Sequence, residues 1–157
     1  MFNLRIASEE QYVSPLDQIA RECVHQSAGM IFGKQLELVV DVESYLPVCF
    51  DLNWLKQAIM KMLNLAIERS PNCSEIQLTA CCVGDAVELE VADNGDTLDN
   101  EATAFRHQCS YNFGPIARDL LASVQSRGAE FWGTCCPQGG MAWTLRMPLR
   151  KAMAKAA

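Results

Sequence analysis

The chain is poor in histidine, in positive charge and in long apolar runs, and each shortage removes a class of function. Only His25 and His107 occur in 157 residues, and neither stands at zinc-ligand spacing to a cysteine. His107 could reach Cys109 in FRHQCS, but an i, i+2 pair in a loop is a poor pattern for a nucleophile and its base. No serine lies in a nucleophile elbow and no HExxH occurs, so the common hydrolase signatures are absent. Thirteen Lys and Arg stand against nineteen Asp and Glu, for a net charge of −6 and a pI near 4.9. That balance argues against nucleic acid or an anionic membrane as the main partner. No apolar run reaches the roughly 18 residues that span a bilayer. The opening MFNLRIASEEQ lacks a signal-peptide pattern, so the cytoplasm is the expected compartment. The closing RKAMAKAA reads as a fraying, basic end. Trp54, Trp132 and Trp143 are scattered, so no aromatic stacking platform is expected.

Cysteine, by contrast, is plentiful. Cys23, Cys49, Cys73, Cys81, Cys82, Cys109, Cys135 and Cys136 form no CxxC. The pairs Cys81-Cys82 and Cys135-Cys136 fall in predicted strands, so the members of each pair point to opposite faces of a sheet. Without a secretion signal, the expectation is buried, reduced thiols acting as small hydrophobes. Half the residues are hydrophobic and 20% are charged. Residues 1–157 therefore read as one globular domain with a real core.

Hydrophobic periodicity gives the elements. Residues 2–7 alternate like a short strand. Ser14 at N-cap and Pro15 at N1 start a helix with Leu16, Ile19, Ala20, Cys23, Val24 and Ile31 on one face, and Gly33 ends it. Residues 36–42 read as a strand, followed by a loop with Pro47. Asp51 caps a second helix whose Leu55, Ala58, Ile59, Met62, Leu63 and Ala66 recur at spacings of three and four, and Ser70-Pro71 stops it. Residues 76–83 and 86–91 form a hairpin around Gly84-Asp85. After a polar stretch over 94–113, a third helix covers 115–125. Two last strands, 129–135 and 141–147, are joined by Pro-Gln-Gly-Gly. The order β-α-β-α-β-β-α-β-β predicts an α/β (α+β) two-layer sandwich: a mixed sheet with three helices on one face.

Two stretches, DLNWLKQAIMKMLNLAIERSP (51–71) and VADNGDTL (91–98), together with the element order, resemble the ATP-binding domain of two-component sensor histidine kinases. This implies the Bergerat-type ATPase fold, shared with type II topoisomerases. The family's second helix reads roughly D-x-x-x-L-x-Q-x-L-x-N-L-L-x-N-A-x-K-x-[ST]-P. Asp51, Leu55, Gln57, Leu63, Ala66, Ser70 and Pro71 match. The first box asparagine falls on Lys61. The second, a magnesium ligand in the family, falls on Leu65. The lysine near the phosphates falls on Glu68. Leucine cannot ligate magnesium, which demands oxygen, and Glu68 would repel a triphosphate. Asn64 stands one residue away from the ligand position, rotated by about 100° on a helix.

The first glycine box, D-x-G-x-G, keeps Asp93 and Gly95 and has Thr97 for its second glycine. In the family the aspartate accepts from the adenine amino group, although Asp-Asn-Gly-Asp is also an ordinary turn sequence. The second box, G-x-G-L, has Tyr111 and Phe113 where glycines belong. Gly114 survives one position away, before Pro115, which has no N–H for phosphate. The short segment between the boxes, with Phe105, Tyr111 and Phe113, is expected to fill the old pocket over Met62 and Leu65. His25 lacks the acidic residue and proline that follow the family's phosphoacceptor histidine.

The resemblance thus implies a degenerate domain of two-component signalling, with no catalytic residue, no metal and no cofactor. It would act on a signalling partner, a histidine-containing dimerisation domain or a response regulator. Two alternatives remain. One is an active, atypical kinase domain that binds ATP and magnesium and phosphorylates a histidine supplied by another domain or protein. The other is the vestigial domain of a histidine phosphotransferase. On any of these readings the single domain could be the C-terminal fragment of a larger sensor protein.

Overall fold

The computed structural model describes residues 13–44, 46–96 and 114–149. The predicted strand over 2–7, and Thr97, Phe105, His107, Cys109, Tyr111 and Phe113, lie outside them. So does the expectation that these aromatics cover Met62 and Leu65. The elements run β1 (Val13–Pro15), α1 (Leu16–Gln26), α2 (Ala28–Gly33), β2 (Glu37–Val42), β3 (Pro47–Cys49), α3 (Leu52–Arg69), β4 (Glu75–Val83), β5 (Ala86–Ala92), α4 (Pro115–Gln125), β6 (Glu130–Cys135) and β7 (Met141–Pro148).

One five-stranded sheet has the order β2-β4-β5-β7-β6. β2 and β4 are parallel and the other pairs antiparallel, so the sheet is mixed as expected. Alternation sorts its two faces. Ile76, Leu78, Leu89, Val91, Trp143 and Leu145 are buried toward the helices. On the other face Arg146 pairs with Glu88 across the β5–β7 ladder at 2.9 Å.

The long helix α3 lies over the sheet. Leu55, Ala58, Ile59, Met62, Leu63 and Ala66 are all buried, as their spacing predicts. Each full-sized member of this face contributes about 1.5–3 kcal/mol. Asp51 caps the helix, its Oδ1 accepting from the Trp54 amide at 2.8 Å. At the other end Lys34 Nζ donates to the carbonyls of Ile67, Glu68 and Ser70 at 2.7, 3.1 and 3.0 Å. A cation there satisfies carbonyls that a helix end leaves open and meets the negative end of its dipole. Lys34→Ala is expected to destabilise the domain by about 1–2 kcal/mol. Urea denaturation checks this, and an unchanged midpoint would deny the lysine its capping role.

Three local expectations need correction. Ser14 does not cap α1. It pairs with Val48 in β1, and Pro15 occupies the N-cap position. The segment around Pro47 is strand β3, not loop. Pro15 stands opposite Pro47, so neither offers an N–H and the ladder stops there. The predicted first helix is two helices, because the buried Ser27 turns the chain, its amide bonding Cys23 and Val24 carbonyls at 3.0 and 3.1 Å. The cysteines are also less uniform than expected. Cys23 is buried, and burial pushes its thiol up to about 11. Cys73, Cys81 and Cys82 are exposed, and Cys136 lies beyond β6. Cys81 stands opposite Glu88 on the outer face of the sheet, where alternation leaves it exposed.

Candidate functional site

Asp93 follows β5 directly. Its amide donates to the Met141 carbonyl at 2.8 Å, extending the β5–β7 ladder by one step. Its carboxylate has no exposed surface. Oδ1 accepts from the Gly95 amide at 2.9 Å and the Met141 amide at 3.2 Å. Oδ2 accepts from Trp143 Nε1 at 3.0 Å and from Arg69 Nε at 3.1 Å. A carboxylate offers about four lone-pair positions. All four are used by this chain itself, and one of the donors is a cation.

The neighbours are fitted closely around that carboxylate. Arg69 is the last residue of α3. Its guanidinium lies 5.7 Å from the centre of the Trp143 ring and donates through Nη2 to the Asp96 carbonyl at 2.7 Å. Phe131 stacks on the same indole at 6.1 Å and 10°. Gly95 brings the turn so near the end of α3 that a Cβ would stand 2.7 Å from the Arg69 carbonyl. Gly140, at φ +85, brings the β6–β7 loop against Asp93, where a Cβ would meet the Asp93 carbonyl. Both are glycine positions because backbone passes over backbone.

Beside this enclosure is a cavity of about 110 Å³, lined by Glu75, Gln77, Ala92, Asp93, Asn94, Cys136, Gln138 and Gly139. Small-molecule sites occupy roughly 300–1,000 Å³, so this one suits a few waters.

Farther along α3, Leu65 is buried at 4% exposure. Lys61 is half-exposed and stands 3.8 Å from Asp119 of α4. Glu68 is exposed. Among the described residues, the buried Asn64 amide oxygen has no hydrogen-bond partner. Trp54 Nε1 donates to Ser123 Oγ at 3.1 Å, so with the Lys61–Asp119 contact α4 runs antiparallel to α3. Gly114 and Pro115 therefore lie toward the Asn64–Glu68 end. Gly114 is the N-cap at φ +89, with no capping side chain, and Pro115 is the first helical residue. Among the described residues, no group of three or more His, Cys, Asp or Glu could hold a metal ion. No helix among them is long and apolar enough to cross a membrane.

Asp93 and Gly95 thus come together at one end of the sheet, with Arg69, Gly140 and Trp143, which sequence reasoning did not single out. The only sequence signals for them were the position of Arg69 before the Ser-Pro stop and the inward parity of Trp143 on β7. Lys61, Asn64, Leu65 and Glu68 lie on the preceding turns of α3.

No protein-family model and no curated protein matches the chain. Solved structures do match it. The catalytic domain of histidine kinase ThkA superposes with a TM-score of 0.75 at 16% identity, over 86% of this chain and 94% of that one. The same kinase in complex with the response regulator TrrA gives 0.74 at 16% identity, over 86% and 40%. Full-length ShkA in complex with AMPPNP gives 0.68 at 20% identity, over 90% and 32%. The chain has the fold of the histidine-kinase ATPase domain.

Proposed function

We propose that the domain is a non-catalytic relative of the histidine-kinase ATPase domain, working in the cytoplasm in two-component signalling and binding magnesium-ATP weakly or not at all. The enclosure of Asp93 carries this reading. The carboxylate that would accept from adenine already holds four donors of its own chain. The rest of the frame supports it. Leu65 gives magnesium no oxygen. Glu68 presents negative charge where phosphate would need positive. Pro115 opens α4 without an N–H. Magnesium and triphosphate do not fit these residues, and phosphoryl transfer depends on positioning and neutralising them.

The remaining role is contact with a signalling protein, either a histidine-bearing dimerisation domain or a response regulator. The ThkA–TrrA complex supports the class of partner.

One observation favours the alternative of an atypical ATP-binding domain. The orphaned Asn64 oxygen is an acceptor waiting for a donor or cation. A single neutral oxygen is a thin base for magnesium, which takes six ligands and usually one or two carboxylates.

Calorimetry with magnesium-ATP separates the two readings. The parent protein is expected to show no low-micromolar binding, and Leu65→Asn with Glu68→Lys is expected not to create it. Leu65→Asn itself should cost roughly 1–3 kcal/mol, because it places an amide in the core. A magnesium-dependent dissociation constant in the low micromolar range for the parent would establish the alternative.

A further inference from the structure

We propose that the open edge of β2 takes an extended, basic segment of a partner protein as a further strand of the sheet. β2 is an end strand, and among the described residues only β4 pairs with it. The amides of Glu37 and Glu43 donate to the Ser74 and Ala80 carbonyls on the β4 side, at 2.9 and 3.0 Å. Main-chain groups alternate in direction along a strand. Glu37, Val39 and Asp41 therefore point theirs at β4, and Leu38, Val40 and Val42 point theirs outward. The preceding amide of that parity, Leu36, is taken by the Ile31 carbonyl at 3.0 Å, so the free edge begins where α2 ends. An edge of this kind is a template for one more strand.

The side chains of β2 define the occupant. Leu38, Val40 and Val42 lie on the helix side, level with Ile76, Leu78 and Ala80, yet are only half-buried beside those buried neighbours. An added strand with apolar residues there would complete the layer. On the outer side Glu37 and Asp41 flank Val39, which is 40% exposed. Glu43 follows, and Glu75 stands beside Glu37 on β4. None of these four carboxylates meets a cation among the described residues. They oppose a second copy as the occupant. A two-fold antiparallel pairing centred on Val39 sets Glu37 against Asp41, and one centred on Val40 sets Glu37 against Glu43. Like charges directly opposite destabilise a ladder. The complement is a strand with Lys or Arg at two positions about 13 Å apart and apolar residues on its other side. Guarding the edge needs the acids alone, whereas the half-exposed valines between them are surface that a partner strand covers. The inference names a surface for the partner contact proposed above, and rests on that reading for the partner being a protein.

The test is NMR of the isotope-labelled full chain, titrated with the end-blocked peptide Lys-Val-Thr-Val-Lys-Val. The amides of Leu38, Val40 and Val42 should gain protection from solvent exchange. Those of Val39 and Asp41, already directed at β4, should not change. The same peptide with Glu for Lys should not bind, and added salt should weaken the lysine form. Glu37→Lys with Asp41→Lys should weaken the lysine peptide by about tenfold or more and make the glutamate peptide the tighter of the two. Val40→Pro removes one outward N–H and spares the ladder to β4, so it should also cost about tenfold or more. If it does not fold, the charge exchange carries the test. Absence of the alternating protection with the lysine peptide overturns the proposal. So does protection of the same three amides in the free parent, which would mean that the chain itself fills the edge, or a second copy if dilution removes it. Magnesium-ATP calorimetry tests the non-catalytic reading separately. ATP binding would overturn that reading and leave the edge standing, and a silent peptide would overturn the edge alone.

Discussion

Asp93→Ala is expected to destabilise the domain by about 3–5 kcal/mol, the range seen when one partner of a buried ion pair is removed. The substitution would leave Arg69 and Trp143 Nε1 without their shared acceptor. It would also take one from the Gly95 and Met141 amides. Buried donors without partners carry the full desolvation cost. Asp93→Asn should lose less, since one oxygen survives, but its NH2 must face donors. Urea denaturation at neutral pH reads both, and an unchanged slope would show that the midpoint reports stability. A loss below about 1 kcal/mol for the alanine variant would mean that the carboxylate is not the centre of the enclosure.

Gly140→Ala should be nearly as severe, at about 2–5 kcal/mol. Two effects add: the left-handed backbone at φ +85 disfavours any Cβ, and that Cβ would meet the Asp93 carbonyl. The obstacle is backbone, which cannot rotate away as a side chain can. Gly139→Ala separates the effects, because its φ is +102 and a Cβ there meets nothing within 4 Å. It should show only the conformational cost, about 1–2 kcal/mol. Equal losses at the two positions would show that close approach to Asp93 is not what requires Gly140.

The sequence carried the sheet and its helices because their signals are local. The spacing from Leu55 to Ala66 named the buried face of α3, Asp51 named its cap, and Gly84-Asp85 placed the hairpin. Pro115 marked the first residue of α4. What it did not carry depends on pairing between distant residues. β1 and β3 are three residues each, too short for periodicity, and exist by virtue of each other. The break at Ser27 comes from burial of a polar residue beside Met60, 33 positions away. Alternation does encode the exposure of Cys81, which shares the outer face of the sheet with Glu88, but not that of Cys82, which stands opposite the buried Val87.

The site divided in the same way. Asp93 and Gly95 stood out through a local pattern that suited a ligand contact and a turn equally well. Their outcome was decided by Arg69 and Trp143, which lie 24 and 50 residues from Asp93. An arginine at the end of a helix reads as a solvated charge until the opposite strand supplies its indole. Lys34 is similar: two carbonyls of α3 and that of its C-cap Ser70 gave it a role that its own turn did not announce.

The most direct test of the closed carboxylate is heteronuclear NMR of the parent protein during titration with magnesium-AMPPNP. The indole N–H of Trp143 and the amide of Gly95 both point at Asp93 and report any ligand that competes for it. The account predicts that the indole N–H exchanges slowly with solvent and that neither resonance moves at millimolar nucleotide. A saturable shift of both, with the Arg69 side-chain N–H released to solvent, would contradict it.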